Sequence, residues 1–209
     1  MGRTLSLGLL CVFLLAFSAR AEIICALGSG ASSYDPNADQ RPTGDAMQLA
    51  GRMNAALSPN CSPKCPQIAT FRNATAANAM LVVTADQAKF VYAPQFFTAV
   101  YEKYGDGAII AIIAHEYGHA MDEVYPANWM KSGWSPELRA DAWAGCALAR
   151  SDLSANDLAE ALTAVSKYPP SGHLNWTLRV PALRLGYVHC GGGAPKFDNS
   201  SKFDTSGVK

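Results

Sequence analysis

The sequence predicts an α+β fold, a small, mainly antiparallel sheet followed by a run of helices. Three observations carry this expectation. Three short apolar runs, 68–72, 79–84 and 88–93, lie close together and are bounded by polar residues or proline, as strands are. After Pro94 the chain reads as successive helical segments as far as Tyr187. The most apolar of these carries His115-Glu116-Tyr117-Gly118-His119, an H-E-x-x-H pattern that on a helix offers two imidazoles to one metal ion. Strands first and helices afterwards is the order of an α+β domain.

The first 21 residues read as a targeting segment rather than as part of the fold. Arg3 is a basic start, Leu5 to Phe17 an apolar stretch, and Ala19-Arg20-Ala21 a small-residue cleavage site, so the mature chain is expected to begin at Glu22. That apolar stretch is too short for a comfortable membrane span, and the next candidate, around Ile109 to Ile113, holds the metal motif. The expectation is therefore a secreted or periplasmic protein with no transmembrane segment in its mature chain. Residues 26–44, rich in Gly, Ser, Asp and Pro, read as irregular, and Met47, Ala50, Met53 and Leu57 mark a helix after them. A cysteine-bearing loop then leads into the three strands.

Helices are expected near 94–104, 106–123, 136–150, 154–166 and 175–187. Asp106 is a plausible N-cap for the second, whose first half reads AIIAIIA from Ala108 to Ala114. Ser135 and Pro136 suit the N-cap and first position of the third. About 190 mature residues suit one domain, 22–190, and the glycine-rich, then polar stretch 191–209 reads as a flexible tail.

Seventeen basic residues balance seventeen acidic ones in the full chain. The targeting segment removes Arg3 and Arg20 and no acid, leaving a mature net charge near −2. No basic patch points to nucleic acid. Without Cys11 the mature chain has Cys25, Cys61, Cys65, Cys146 and Cys190, an odd number in a compartment where disulfides persist, so one is unpaired. Cys61 with Cys65 would close a small loop, and Cys146 with Cys190 would tie the 136–150 helix to the end of the last. A zinc-ribbon reading of Cys61 and Cys65 lacks a second pair at ribbon spacing.

Residues four apart on a helix stack on one face, so His115 and His119 can reach one ion, with Glu116 beside that face as a general base. A catalytic zinc takes three protein ligands and keeps a fourth position for water. The third has to come from elsewhere. Glu137 and Asp141 share one face of the next ligand-bearing helix, and either acid is a candidate.

The run Glu137-Leu138-Arg139-Ala140-Asp141-Ala142-Trp143-Ala144-Gly145 resembles the E-x-x-A-D-x-x-A-G element of gluzincin zinc metallopeptidases. In detail the stretch from Asn78 to Tyr187 is similar to the CAAX prenyl endopeptidases, their bacterial heat-shock relatives and the soluble neutral zinc metallopeptidases, although this chain has no multi-span membrane domain. The resemblance implies a zincin-like fold, Zn²⁺ as cofactor, Glu137 as third ligand and Asp141 orienting a histidine. It also implies that Asn78, from an N-A element before an edge strand, lies by the substrate. His173 and Arg179 would line the site and hold substrate or the developing oxyanion.

The expected function is then an exported zinc endopeptidase acting on peptide or protein substrates. Zinc on His115, His119 and Glu137 would lower the pKa of its water, and Glu116 would take that water's proton. Two rivals stand beside it: a metal-binding, non-hydrolytic assembly or chaperone-like factor that holds chains in its cleft, and a structural or inhibitory exported domain needing neither metal nor cleft.

Overall fold

A computed structural model describes residues 22–26, 33–84, 87–125, 127–167 and 176–196. The expected targeting segment, residues 197–209 of the expected tail and His173 lie outside the described residues, as does the side chain of Cys25. The fold is α+β, with a four-stranded sheet and six helices among the described residues. The strands are β1 (Glu22–Ala26), β2 (Ile68–Arg72), β3 (Ala79–Val83) and β4 (Ala88–Tyr92). The helices are α1 (Gly44–Cys61), α2 (Pro94–Tyr104), α3 (Asp106–Val124), α4 (Pro136–Ala149), α5 (Ala155–Lys167) and α6 (Trp176–His189).

The sheet is mixed: two of its three pairings are antiparallel, in line with a mainly antiparallel expectation, and one is parallel. Its order is β1-β3-β4-β2, with β3 antiparallel to β1 and β4 and with β2 parallel to β4. The cause is the turn after β3. Thr84 and Gln87 bond to each other across it, Thr84 N–H to the Gln87 carbonyl at 2.9 Å, so β4 folds straight back on β3. With that side of β4 filled, β2 joins the other side and runs the same way. Strand β1 was not foreseen. The outer edge of β2 is taken at Arg72 by Gln40, whose backbone exchanges two bonds with it at 2.9 and 3.1 Å, and among the described residues no strand pairs with the outer edge of β1.

Side-chain alternation then divides β3. Met80 and Val82 face Val91, Ala93 and Ala76, whereas Leu81 faces Ala120 of α3. Helix α3 is buried from Gly107 to Met121 and packs against the sheet, α1, α2, α4 and α5. This all-round burial explains its apolar sequence. Its start differs from expectation: Gly105, at φ 77°, makes the turn out of α2, and Asp106 is the first helical residue rather than the cap. Positive φ at that turn suits glycine. Helix α4 begins as expected, with Ser135 Oγ accepting from Leu138 N–H at 3.4 Å and Pro136 at the first position.

Glycines seat α4 against α6. A β-carbon on Gly145 would collide with the Leu183 backbone, and one on Gly186 with the Ala142 backbone. The same helix pair is cross-linked at its far end by a Cys146–Cys190 disulfide, with 5.0 Å between the α-carbons, and Cys61–Cys65 closes the loop after α1. Both expected pairings are present. Two disulfides are compatible with an extracytoplasmic location. Among the described residues no helix is long and apolar enough to cross a membrane.

The two cross-links should contribute unequally. Chain-entropy reasoning gives about 4 kcal/mol for the 44-residue separation of Cys146 and Cys190, and about 2 kcal/mol for the short Cys61–Cys65 loop. Urea unfolding of C146A/C190A and C61A/C65A double variants measures this, and the first pair is expected to lose roughly twice as much.

Candidate metal centre

His115 and His119 project from one face of α3, and Glu137 meets them from the first turn of α4. Among the described residues this is the only group of three potential ligands found together, one donor atom from each lying within 4.8 Å of the others. The ring nitrogens His115 Nε2 and His119 Nε2 are 3.2 Å apart. Glu137 Oε2 lies 3.3 Å from the first, and Oε1 lies 3.5 Å from the second. A tetrahedral metal with ligand bonds of about 2.0–2.2 Å needs donor atoms separated by about 3.3–3.6 Å. The three residues therefore already stand at ligand-to-ligand spacing, and two imidazoles with one carboxylate suit a divalent transition metal.

Two contacts bring the helices to that spacing. At Gly118 a β-carbon would collide with the Ala140 carbonyl, so the absence of a side chain lets α4 lie directly on α3 between the two pairs of polar residues. Farther along, Arg139 Nε bonds both oxygens of Asp122 at 2.8 Å, and its Nη1 donates to the Trp134 carbonyl. This fork ties the start of α4, and with it Glu137, to the end of α3. Neither Asp122 nor Arg139 was among the site residues expected from the sequence. Their only sequence signal is position, Asp122 three residues after His119 and Arg139 two after Glu137.

Asp141 separates from Glu137 in role. Its Oδ1 lies 3.0 Å from His115 Nδ1, the ring nitrogen turned away from the cluster. Arg179, on α6, donates from Nη2 to Oδ1 at 2.7 Å and from Nε to Oδ2 at 2.8 Å. Both Asp141 oxygens are thus engaged by partners other than a metal, which favours Glu137 as the ligand. Asp141 is fully buried and Arg179 is 3% exposed. Arg179 was expected beside the substrate, and it is found clamped on this carboxylate.

The remaining candidates fall as follows. Glu116 is fully buried, one residue after His115. Tyr117 is turned into the core, its ring edge-on to Phe90 at 6.0 Å and its hydroxyl 3.2 Å from Thr70 Oγ1. Asn78 is 4% exposed, its carbonyl accepts from Ala93 N–H at 2.8 Å, and its Oδ1 is buried without a hydrogen bond. Asn78 lies in the bend just before β3. A separate cleft of about 740 Å³, lined by Tyr92, Phe97, Tyr101, Ile109 and Ile110 among others, includes none of the potential ligands.

Electrostatics sharpen the picture. For His115 the largest influence, burial, opposes the charged ring. Hydrogen bonds to Asp141 and Glu137 and the Asp141 charge together outweigh it, lifting the pKa from 6.5 to about 9 in the metal-free protein. Burial pushes Asp141 up, but the Arg179 charge and its hydrogen bonds, helped by His115, hold that carboxyl below the usual range. No protein-family model matches the chain, and neither does any curated protein or any solved structure.

Two measurements follow. Gly118→Ala forces α4 away from α3, and overpacking of this kind costs about 1–3 kcal/mol; the variant is expected to lose metal affinity, read by chelator competition, more than Gly51→Ala, whose added β-carbon meets open space. A metal ligand also needs the lone pair that the His115 proton occupies below about pH 9. Affinity should therefore rise roughly tenfold per pH unit between pH 6.5 and 8, with about one proton released per ion bound. Calorimetry in buffers of different ionisation enthalpy counts that proton.

Proposed function

We propose that this chain is an exported zinc-dependent endopeptidase of the gluzincin class, built on a zincin-like arrangement of sheet and ligand helices. The observation that carries the reading is the cluster of His115, His119 and Glu137, in which the two Nε2 atoms are 3.2 Å apart and each faces one Glu137 oxygen, at 3.3 Å (Oε2) and 3.5 Å (Oε1), with buried Glu116 on the same helix as the histidines. Glu116 stands three residues before His119, so the two are neighbours on the helix surface. A donor set of two histidines and one glutamate at tetrahedral spacing is that of hydrolytic zinc sites.

When bound, zinc supplies a Lewis acid that polarises the scissile carbonyl and lowers the pKa of a coordinated water. Glu116 takes the proton of the attacking water and returns it to the departing amine. Asp141 holds the His115 ring so that Nε2 faces the cluster. Glu137, at 23% side-chain exposure against 4% and 2% for the histidines, marks the side on which the site opens to substrate. An extended peptide has one open sheet edge for main-chain pairing among the described residues, that of β1, which α3 also reaches.

By the resemblance, His173 stabilises the oxyanion. By the same resemblance, Asn78 lies by the substrate. The targeting segment and the two disulfides together support export to an oxidising compartment.

Glu116→Gln tests the reading because it keeps the shape of the side chain and removes the base. The expected result is full zinc content by elemental analysis, with cleavage of an unfolded protein slowed roughly 10²- to 10⁴-fold. Wild-type cleavage by the variant, or a metal other than zinc in active wild type, would overturn the mechanism. A wild-type protein that binds unfolded chains with zinc in place and never cuts them is the non-hydrolytic holding factor instead.

A further inference from the structure

Arg179 has no sequence link to the metal motif. It lies on α6, 38 residues beyond Asp141, yet it is buried and its guanidinium fork closes on both oxygens of that carboxylate. Asp141 in turn touches His115 through the ring nitrogen that cannot reach the cluster. Three side chains from three helices thus make a continuous chain, from α6 through α4 to α3, that ends at a ligand.

Two physical consequences follow from the geometry of that chain. With both oxygens fixed by the guanidinium fork, Asp141 presents Oδ1 to His115 Nδ1 in one orientation, which turns Nε2 toward the cluster. Second, Asp141 sits on α4 one helical turn after Glu137 and is itself a possible ligand by residue type. With Oδ1 shared between His115 and Arg179 and Oδ2 bonded by Arg179, it cannot turn toward the cluster without breaking a charge-assisted fork.

We infer that Arg179 is a positioning residue of the metal centre, acting through Asp141: it holds Asp141 as an acceptor for His115 and bars it from ligation, leaving that place to Glu137. The inference rests on the metal reading of this site and does not need the protein to be a peptidase. It differs from a substrate-binding or oxyanion role, in which Arg179 would act on whatever occupies the site and independently of Asp141.

A double-mutant cycle on zinc affinity separates the two. The full mature protein is titrated with Zn²⁺ against a competing chelator for wild type, R179M, D141N and D141N/R179M. R179M and D141N are each expected to weaken zinc binding by about 10- to 100-fold, the range of changes behind a ligand. The double variant should bind no more weakly than D141N alone. In the Co²⁺-substituted protein, the visible d–d spectrum should change alike in R179M and D141N, which general loosening of the fold would not produce.

Removing one member of a buried pair risks the fold itself. R179K supplies the fallback, since it keeps the charge and loses the fork. It should show a smaller loss, and that loss should vanish in the D141N background. Wild-type affinity in R179M, or a further tenfold loss on adding R179M or R179K to D141N, overturns the inference. Absence of any Zn²⁺ or Co²⁺ binding by folded wild type overturns the metal reading and this inference with it, whereas metal binding without peptidase activity leaves the inference standing and removes only the proposed reaction.

Discussion

The metal cluster depends on how close two helix backbones can come. Helices that meet through ordinary side chains keep their axes about 8–10 Å apart. A glutamate in the first turn of α4 has a short reach, and it must place its oxygens 3.3 and 3.5 Å from two ring nitrogens on α3. Gly118 allows this by letting the Ala140 backbone rest where a side chain would otherwise stand. Gly118 also lies inside the H-E-x-x-H motif, immediately before His119. The same five residues therefore carry two potential ligands, the acid proposed as base and the contact that admits the third potential ligand. Similar seats at Gly107 against α5, and at Gly145 and Gly186 between α4 and α6, bring the remaining helices into the same packed unit.

Burial at this depth makes the polar partners obligatory. Asp141 and Glu116 are wholly buried, and His115, His119 and Arg179 nearly so. An isolated charge in such surroundings would cost several kcal/mol. The structure meets this with directed pairs: Arg179 on Asp141, Asp141 on His115, and Glu137 on both histidines. Each pair also spans two helices. The electrostatic network and the helix packing thus constrain the same geometry, and loosening either one shifts the spacing of the donor atoms.

Much of this was legible in the sequence, for identifiable reasons. H-E-x-x-H fixes its own geometry, because four residues on a helix bring two side chains together whatever the rest of the chain does. Ser135-Pro136 announces the start of α4, and Glu137 and Asp141 fall on one face from that start. Periodicity placed β2, β3, β4 and the six helices near their observed bounds. The strand β1 was not assigned, because five residues directly after a cleavage signal give too short a pattern to separate from a linker. The parallel pairing of β2 with β4 was hidden for another reason. Sequence shows which segments are strands, while sheet order depends on which side of β4 the hairpin leaves open. The partners of Arg179 and Arg139 were invisible because both contacts join residues distant in sequence, and arginine carries no periodic signal of what it will meet. Asp106 read as a cap because its residue type fits, yet the turn out of α2 needed a positive φ, which Gly105 supplies.

Stability alone does not account for such a cluster. Buried ion pairs are often no more stabilising than well-packed apolar residues of the same volume, because desolvating the charges offsets their attraction. The core around α3 is otherwise apolar, from Ala108 through Ala114 on one side to Leu148, Leu162 and Leu183 on neighbouring helices. A fold that needed only to close its core would continue that pattern at 115, 116, 119, 137 and 141. It instead sets two imidazoles, two carboxyl groups and a guanidinium against one another where three helices meet, with the Glu116 carboxyl buried on one of those helices. Hydrogen bonds to Asp141 and Glu137 and the Asp141 charge raise the His115 pKa to about 9 against the opposing effect of burial. The surroundings of His115 thus favour a positive charge beside His119 and Glu137, a demand that a divalent metal held by the three residues would meet.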